Sequence, residues 1–468
     1  MFLIQFRYLC FFFTIITILS FFNIIYSYYL NLYLNLNTYY YSFLLSFIIS
    51  ILFYNIKIPQ KKISIFDKIL TVFLGYFILP LILSIPFYFS IYNLTFLNSY
   101  FESISGFTST GFSIFENIKN IDQSLILWRS STQWIGGLYF LFSIILLIDI
   151  YDENFKKTLT NFISFDSSEI FKQAIKIFLL YSLLTLIIFV ILNIFSIRAF
   201  NSLNLAFTLI SSGGFLPVND LSIILKQNTQ IIAFSLLMLV SFFSIFFSYN
   251  LIFIKNKNFN FFYEDLHLII YLISIFSIFL LFFSFNSDFS LNLLSISSSV
   301  SNIGFSLETN QENLVFIFLI LVIIGGSFFS TSSGLRFIKI YSLFKYSLNQ
   351  ILSFSRPKNI FMNKLLFTKI YFSFNEINKY FLTVLIFILS LFILSSLLTI
   401  SGITFENSFK LSILTLMNTV NSSIYGLADF DFNNIHYLTK YTLILFMIIG
   451  RIELLTILLI IKKFLFKT

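Results

Sequence analysis

Apolar stretches long enough to cross a bilayer recur along the whole chain, with residues 177–194, 266–283, 314–325 and its continuation, and 381–400 the clearest. The sequence is 58% hydrophobic and 10% charged, with a mean hydropathy of +0.92. A soluble domain could not hide that much apolar surface from water, so the solvent must be lipid. At roughly 20 residues per crossing, 468 residues hold about ten spans. The first segment, 8–30, has only Arg7 before it and exceeds a signal-peptide core, so it reads as a retained span.

Lys and Arg alternate with the apolar segments as connecting loops on one side of a membrane require. Lys57, Lys61, Lys62 and Lys68, then Lys156, Lys157, Lys172 and Lys176, then Lys255 and Lys257, then the stretch from Arg336 to Lys379 fall on one side. Arg7, Lys462, Lys463 and Lys467 join them, which predicts two cytoplasmic termini. The net charge of +9 is therefore topological and forms no single face for nucleic acid. Glu102, Glu116, Asp122, Asp220, Asp288, Glu308, Glu312, Glu406, Asp429 and Asp431 fall opposite, predicting an acidic outer mouth that concentrates cations. Cys10 alone supports no disulfide or thiolate site, and His267 and His436 read as interfacial without metal-ligand spacing.

Each external segment also carries a short apolar stretch too brief to cross, followed by a run of small residues: 105–113 (SGFTSTGFS), 209–216 (LISSGGFL), 299–306 (SVSNIGFS) and 417–426 (MNTVNSSIYG). Any one could be an external turn; four at the same place in a repeating unit point to pore loops. Gly111, Gly214 and Gly304 align, with Ser423 as fourth member, or Ile424 if Gly426 is the anchor. Non-helical backbone at membrane depth is tolerated where it lines a cavity, and glycine lets carbonyls face an axis and replace a cation's hydration shell. The expected filter comprises Thr108, Ser109, Thr110 and Gly111; Ser211, Ser212, Gly213 and Gly214; Ser301, Asn302, Ile303 and Gly304; and Asn421, Ser422 and Ser423. Half-helices at 97–107 and 201–210 would aim their partly negative C-terminal ends at the ion.

The predicted fold class is thus an all-α polytopic membrane protein: two leading spans (8–30, 38–56) and four span–pore-loop–span units (66–151, 172–255, 264–347, 376–464). With their connections the parts are 1–60, 61–155, 156–258, 259–355 and 356–468.

These runs, with 128–137 (WRSSTQWIGG), 325–336 (GGSFFSTSSGLR) and 450–456 (GRIELLT), resemble the Trk/Ktr/HKT superfamily of potassium transporters, in particular its bacterial TrkH branch. The resemblance implies potassium as the transported ion, taken up across the cell (inner) membrane. It also implies an intramembrane gate in the broken span at Gly325, Gly326, Ser327, Phe328, Phe329, Ser330, Thr331 and Gly334. Arg451 would be the pore charge, with Glu453 as its partner. Arg129 and Asp149 read as interfacial charges. A homodimer and a cytosolic TrkA-type nucleotide-binding subunit are implied as partners, beside membrane lipid, and the chain itself carries no nucleotide motif. Two departures bear on function: Phe328 and Phe329 stand where the family has smaller residues, and the fourth loop lacks the glycine.

Three alternatives compete. A sodium-selective or non-selective transporter shares the architecture. A multi-pass membrane enzyme would need clustered catalytic groups, and no span shows a His/Asp, Ser/His or paired-acid set. A proton-coupled carrier would need buried acids, for which only Glu453 and Asp149 offer themselves.

Overall fold

The computed structural model describes residues 2–54, 64–147, 170–253, 263–283, 289–307, 314–354, 374–428, 430–452 and 456. Glu453 and Asp149 lie outside them, as do residues 355–373 of the long basic segment.

Helices α1 (Phe2–Tyr29) and α2 (Leu36–Tyr54) pack side by side. Small hydroxyls let them approach: Ser20 and Ser42 share a hydrogen bond of 3.1 Å, and Thr17 donates to Ser46 at 2.9 Å. Four helical units follow. The first holds α3 (Ile65–Leu83), the short α4 (Ile85–Tyr88), the half-helix α5 (Phe96–Phe107) and α6 (Gln123–Leu146). The second holds α7 (Ile170–Ile194), half-helix α8 (Ala199–Ser211), α9 (Asn228–Met238) and α10 (Ile245–Phe253). The third holds α11 (Tyr263–Phe283), half-helix α12 (Phe289–Val300), α13 (Val315–Ile323) and α14 (Phe337–Ser353). The fourth holds α15 (Phe374–Ile400), half-helix α16 (Phe405–Leu416) and α17 (Tyr437–Arg451).

Among the described residues six helices are long and apolar enough to span a bilayer: α1, α2, α3 with α4, α7, α11 and α15. Their outward faces carry exposed Leu186, Leu281, Phe392 and Ile400, which suits lipid rather than water. By contrast, α6 is buried from Ser124 to Leu146 and the half-helices bury rows of Ser and Thr, which places them at the centre. Close approach of glycines fixes the inner helices on the half-helix ends. A Cβ on Gly136 of α6 would fall 1.9 Å from the Phe107 carbonyl oxygen, and one on Gly450 of α17 would fall 2.3 Å from that of Leu416. Bulkier residues there would lever the half-helices off the axis.

The second span of the third unit is broken, as the family resemblance implies, and its glycines and serines suit such a break. Helix stops at Ile323 and resumes at Phe337, and β1 (Ile324–Gly325) pairs in parallel with β2 (Leu335–Arg336), Ile324 opposite Leu335. A second break, between α9 and α10, carries no glycine or proline and so no local sequence signal. It is tertiary in origin: Ser327 N–H donates to the Phe242 carbonyl (3.0 Å) and Ser332 N–H to that of Ser241 (3.1 Å), while Asp265 accepts from Ser244 N–H (2.8 Å). Some of the backbone groups freed by each break are satisfied by the other, and side chains of Glu264, Asp265 and Arg336 satisfy more.

Candidate functional site

Each half-helix ends on a residue in the left-handed region: Ser109 (φ 59°), Ser212 (55°), Asn302 (59°) and Asn418 (47°). Ser and Asn tolerate that conformation better than branched residues, and it turns the chain sharply out of the helix. The closing hydrogen bonds repeat in all four. Thr110, Gly213, Ile303 and Thr419 donate N–H to the carbonyls of Ser105, Thr208, Ser298 and Leu414 at 2.8–3.1 Å.

This geometry sets the register. The residues level with one another are Gly111, Gly214, Gly304 and Val420, which corrects the fourth member expected from sequence. Ser423 lies three residues on, in a 3₁₀ turn (Ser423–Tyr425), with its hydroxyl 2.8 Å from that of Ser306. Asn421 points back to the Leu427 carbonyl (3.0 Å), and Asn421, Ser422 and Ser423 line the wall of the cavity above the ring. The fourth run has valine at the aligned position and its glycine at 426, so a glycine-guided alignment slides to the wrong residue.

The four segments meet. A Cβ on Gly111 would lie 2.5 Å from Gly214 Cα, one on Gly214 2.4 Å from Val420 Cβ, and one on Gly304 2.7 Å from the Val420 carbonyl oxygen. Side chains of the turn residues link neighbouring units in order. Ser212 Oγ donates to the Ser301 carbonyl (2.5 Å), Asn302 Nδ2 to Thr419 Oγ1 (3.4 Å), and Asn418 Nδ2 to Thr110 Oγ1 (3.0 Å). Between the first and second units Gln133 takes that role, its side-chain oxygen accepting from Phe215 N–H.

Above this ring lies a cavity of about 750 Å³ with Glu116, Asp220 and Asp431 on its walls and Gly111, Gly214, Gly304 and Val420 on its floor. Below lies a second of about 60 Å³, bordered by Phe140, Phe328, Arg336, Lys339, Met417 and Arg451. One entrance is acidic and the other end cationic, an asymmetry that favours entry of cations and opposes their free exit.

Arg451 sits directly under the ring. Its guanidinium donates to Ser333 Oγ of the broken span, reaches Ser109 Oγ (3.4 Å) and the Ser211 carbonyl (3.5 Å), and stacks 4.1 Å over Phe140. It therefore touches three units at once. The segment 326–334 is strapped in place by Arg336, whose Nη1 donates to the Ser327 carbonyl (3.0 Å), Ser330 Oγ (3.1 Å) and the Ser332 carbonyl (3.1 Å). Thr331 donates to the Ile210 carbonyl at the end of α8 (2.7 Å). Phe328 and Phe329 are both buried, 5.0 Å apart edge to face, but only Phe328 borders the lower cavity; Phe329 packs on Phe246.

Four charged residues belong to the site although sequence reasoning placed or left them elsewhere. Glu102 and Arg129 are not surface charges. They form a buried ion pair of 2.8 Å behind the first filter segment, where Glu102 also accepts from Ile114 N–H (2.8 Å) and Arg129 stacks 4.2 Å over Phe215, the residue after Gly214. Glu264 and Asp265, at the start of α11, are buried too. Glu264 accepts from Phe328 N–H (3.1 Å) and Ser327 Oγ (3.3 Å), holding the gate-like segment, and Asp265 holds the break in the second unit. Buried acids thus occur beyond the two candidates the sequence offered, and two of them, Glu264 and Asp265, are adjacent. The available signal was an acid inside an otherwise apolar or small-residue helix, which implies a partner. His267 is buried as well, its Nδ1 2.6 Å from the Tyr263 carbonyl oxygen.

A multi-pass membrane protein whose core is four half-helices converging on one ring is the class this geometry defines. No protein-family model matches the chain. It is 24% identical to an uncharacterized cation transporter of Methanocaldococcus jannaschii over 421 residues, covering 84% of this chain and 82% of that protein. It is 23% identical to the Trk system potassium uptake protein TrkH of Escherichia coli K12 over 417 residues, 84% of each. The crystal structure of the potassium transporter TrkH from Vibrio parahaemolyticus superposes with a TM-score of 0.83 at 18% identity, over 98% of both chains. The resemblance to the Trk/Ktr/HKT superfamily is borne out by these similarities, and the fold is that of TrkH.

Proposed function

We propose that this protein takes up potassium through the ring formed by Ser109–Gly111, Ser212–Gly214, Asn302–Gly304 and Asn418–Val420, gated from below by the segment 325–334 and Arg451. The observation that carries the reading is the convergence of four half-helix C-termini on one ring between an acidic cavity and a cationic one. Carbonyl dipoles and helix ends there stabilise a dehydrated cation and repel an anion. Of the named relatives, TrkH of Escherichia coli is a potassium uptake protein and TrkH of Vibrio parahaemolyticus a potassium transporter, which supports potassium as cargo. A valine in place of the fourth glycine favours one second reading, a less selective monovalent cation pathway of the same architecture.

The acidic cavity faces outward in this reading, with the basic loops and both termini in the cytoplasm of a cell whose inner membrane holds the protein. Homodimerisation and a TrkA-type nucleotide-binding regulatory subunit complete the proposed assembly.

The test is flux into liposomes holding the purified protein, with potassium and sodium compared under matched inward gradients. Gly214→Asp places a carboxylate on the ring floor and should abolish flux while leaving membrane insertion and elution profile intact. Normal flux in that variant overturns the pathway assignment.

A further inference from the structure

We propose that Val420 is the hydrophobic constriction of the filter, a single side chain that limits passage through a ring otherwise floored by glycine. The inference rests on the filter reading given above and adds the residue that throttles it.

Of the four residues at this level only Val420 carries a side chain. Its Cβ stands where a Gly214 side chain would collide at 2.4 Å, and its Cγ1 lies 2.9 Å from the Cβ position of Gly304. The isopropyl group is therefore wedged against the second and third segments at once, and Gly214 in turn abuts Gly111. Val420 N–H donates to the Ile303 carbonyl (3.4 Å), and the Val420 carbonyl oxygen lies 2.7 Å from the Gly304 Cβ position. The fourth segment thus offers methyl groups where its neighbours offer glycine. Methyl groups cannot replace water around a cation, and an apolar ring of this kind also disfavours water, which is how hydrophobic constrictions gate. Passage requires the Val420 side chain to move off the ring.

Val420 is half-buried and packs against the apolar core, but the half-helix does not need it to make its turn. The turn that positions it is made by Asn418, which donates to Thr110 (3.0 Å) and to the Met447 carbonyl (2.9 Å), and by Thr419. Position 420 could be glycine without disturbing those bonds.

The experiment is rubidium flux in liposomes of fixed protein content for the unchanged protein, Val420→Gly, Val420→Thr, Val420→Leu and Gly214→Asp. Val420→Gly should raise flux by about tenfold or more, the factor that one recovered charge-assisted contact is worth. Val420→Thr keeps the shape and replaces a methyl by a hydroxyl, so it should also exceed the unchanged protein; Val420→Leu should fall below it. A series in which flux ignores residue 420, with Gly214→Asp inactive, overturns the constriction and leaves the pathway standing. Flux retained in Gly214→Asp overturns the pathway itself, and the constriction with it. Should Val420→Gly fail to fold, the isosteric Val420→Thr decides: flux unchanged from valine refutes the proposal.

Discussion

Replacing Glu102 by Gln removes a charge while keeping shape, and leaves the Arg129 guanidinium buried beside a neutral amide. Both side chains are almost wholly inaccessible, at 0% and 1%, so little solvent screening softens the loss. Breaking a buried pair from one side costs about 3–5 kcal/mol, and the lower end applies because Arg129 borders the large cavity. Arg129→Gln leaves the carboxylate, which keeps the Ile114 N–H bond of 2.8 Å and a 3.2 Å bond from Ser113, so its loss should be similar or slightly smaller. Removing both charges leaves no orphan, so the double variant should be less destabilised than the sum by about 1.5–3 kcal/mol. The assay is unfolding in mixed detergent micelles followed by tryptophan fluorescence. The chain has two tryptophans, Trp128 and Trp134, both on α6, so the signal reports the helix carrying Arg129. Additive losses, or single losses near zero, would refute the view that this pair is a desolvated brace behind the filter.

Two further predictions concern the gate. Phe328→Ala should raise ion leak, because Phe328 borders the lower cavity, whereas Phe329→Ala should lower stability by about 3 kcal/mol without leak, because Phe329 packs on Phe246; equal leak in both, read as flux in ungated liposomes, would contradict the assignment. Glu264→Ala orphans the buried Phe328 N–H, at a cost of about 1–3 kcal/mol, and should loosen the segment 326–334. Faster cysteine labelling of Ser330→Cys in that background checks it, and an unchanged rate would count against the strap.

The half-helices were legible because each is an apolar stretch too short to cross, followed by small residues, and this pattern repeats. The structure runs them at Phe96–Phe107 and Ala199–Ser211, within two residues of the expected 97–107 and 201–210. The break at 324–336 was expected from the resemblance of 325–336 to the family's broken span. The fourth register was not, because the alignment relied on glycine while the fold relies on the residue two places earlier, which must enter the left-handed region. Ser109, Ser212, Asn302 and Asn418 share that requirement and two residue types, a weaker sequence signal than glycine. The break at 239–244 was invisible for a different reason: its cause is the neighbouring segment, not its own residues. Glu102 and Arg129 were misplaced because charge counting assigns loops by sign and cannot see a pair 27 positions apart closing inside the membrane.

Filter and gate cannot move independently in this architecture. Thr331 of the broken span is bonded to the Ile210 carbonyl, the last turn of α8, and two residues later Ser212 enters the ring. Arg451 bonds Ser333 of the same span and touches Ser109 and the Ser211 carbonyl, so the cation that closes the lower end is held by the first two filter segments as well. Withdrawing the segment 326–334 from the pore therefore releases Arg451 on one side and unbraces α8 on another. The cost of that withdrawal includes the Arg336, Glu264 and Thr331 bonds together, because the span is a strapped loop and not a hinge. A regulator acting from the basic side needs only to shift α11 or α14, whose first turns carry Glu264 and follow Arg336 directly, to loosen several of these bonds at once. In the proposed gating, control therefore comes from these anchors, and through Thr331 and Arg451 it reaches the ring above.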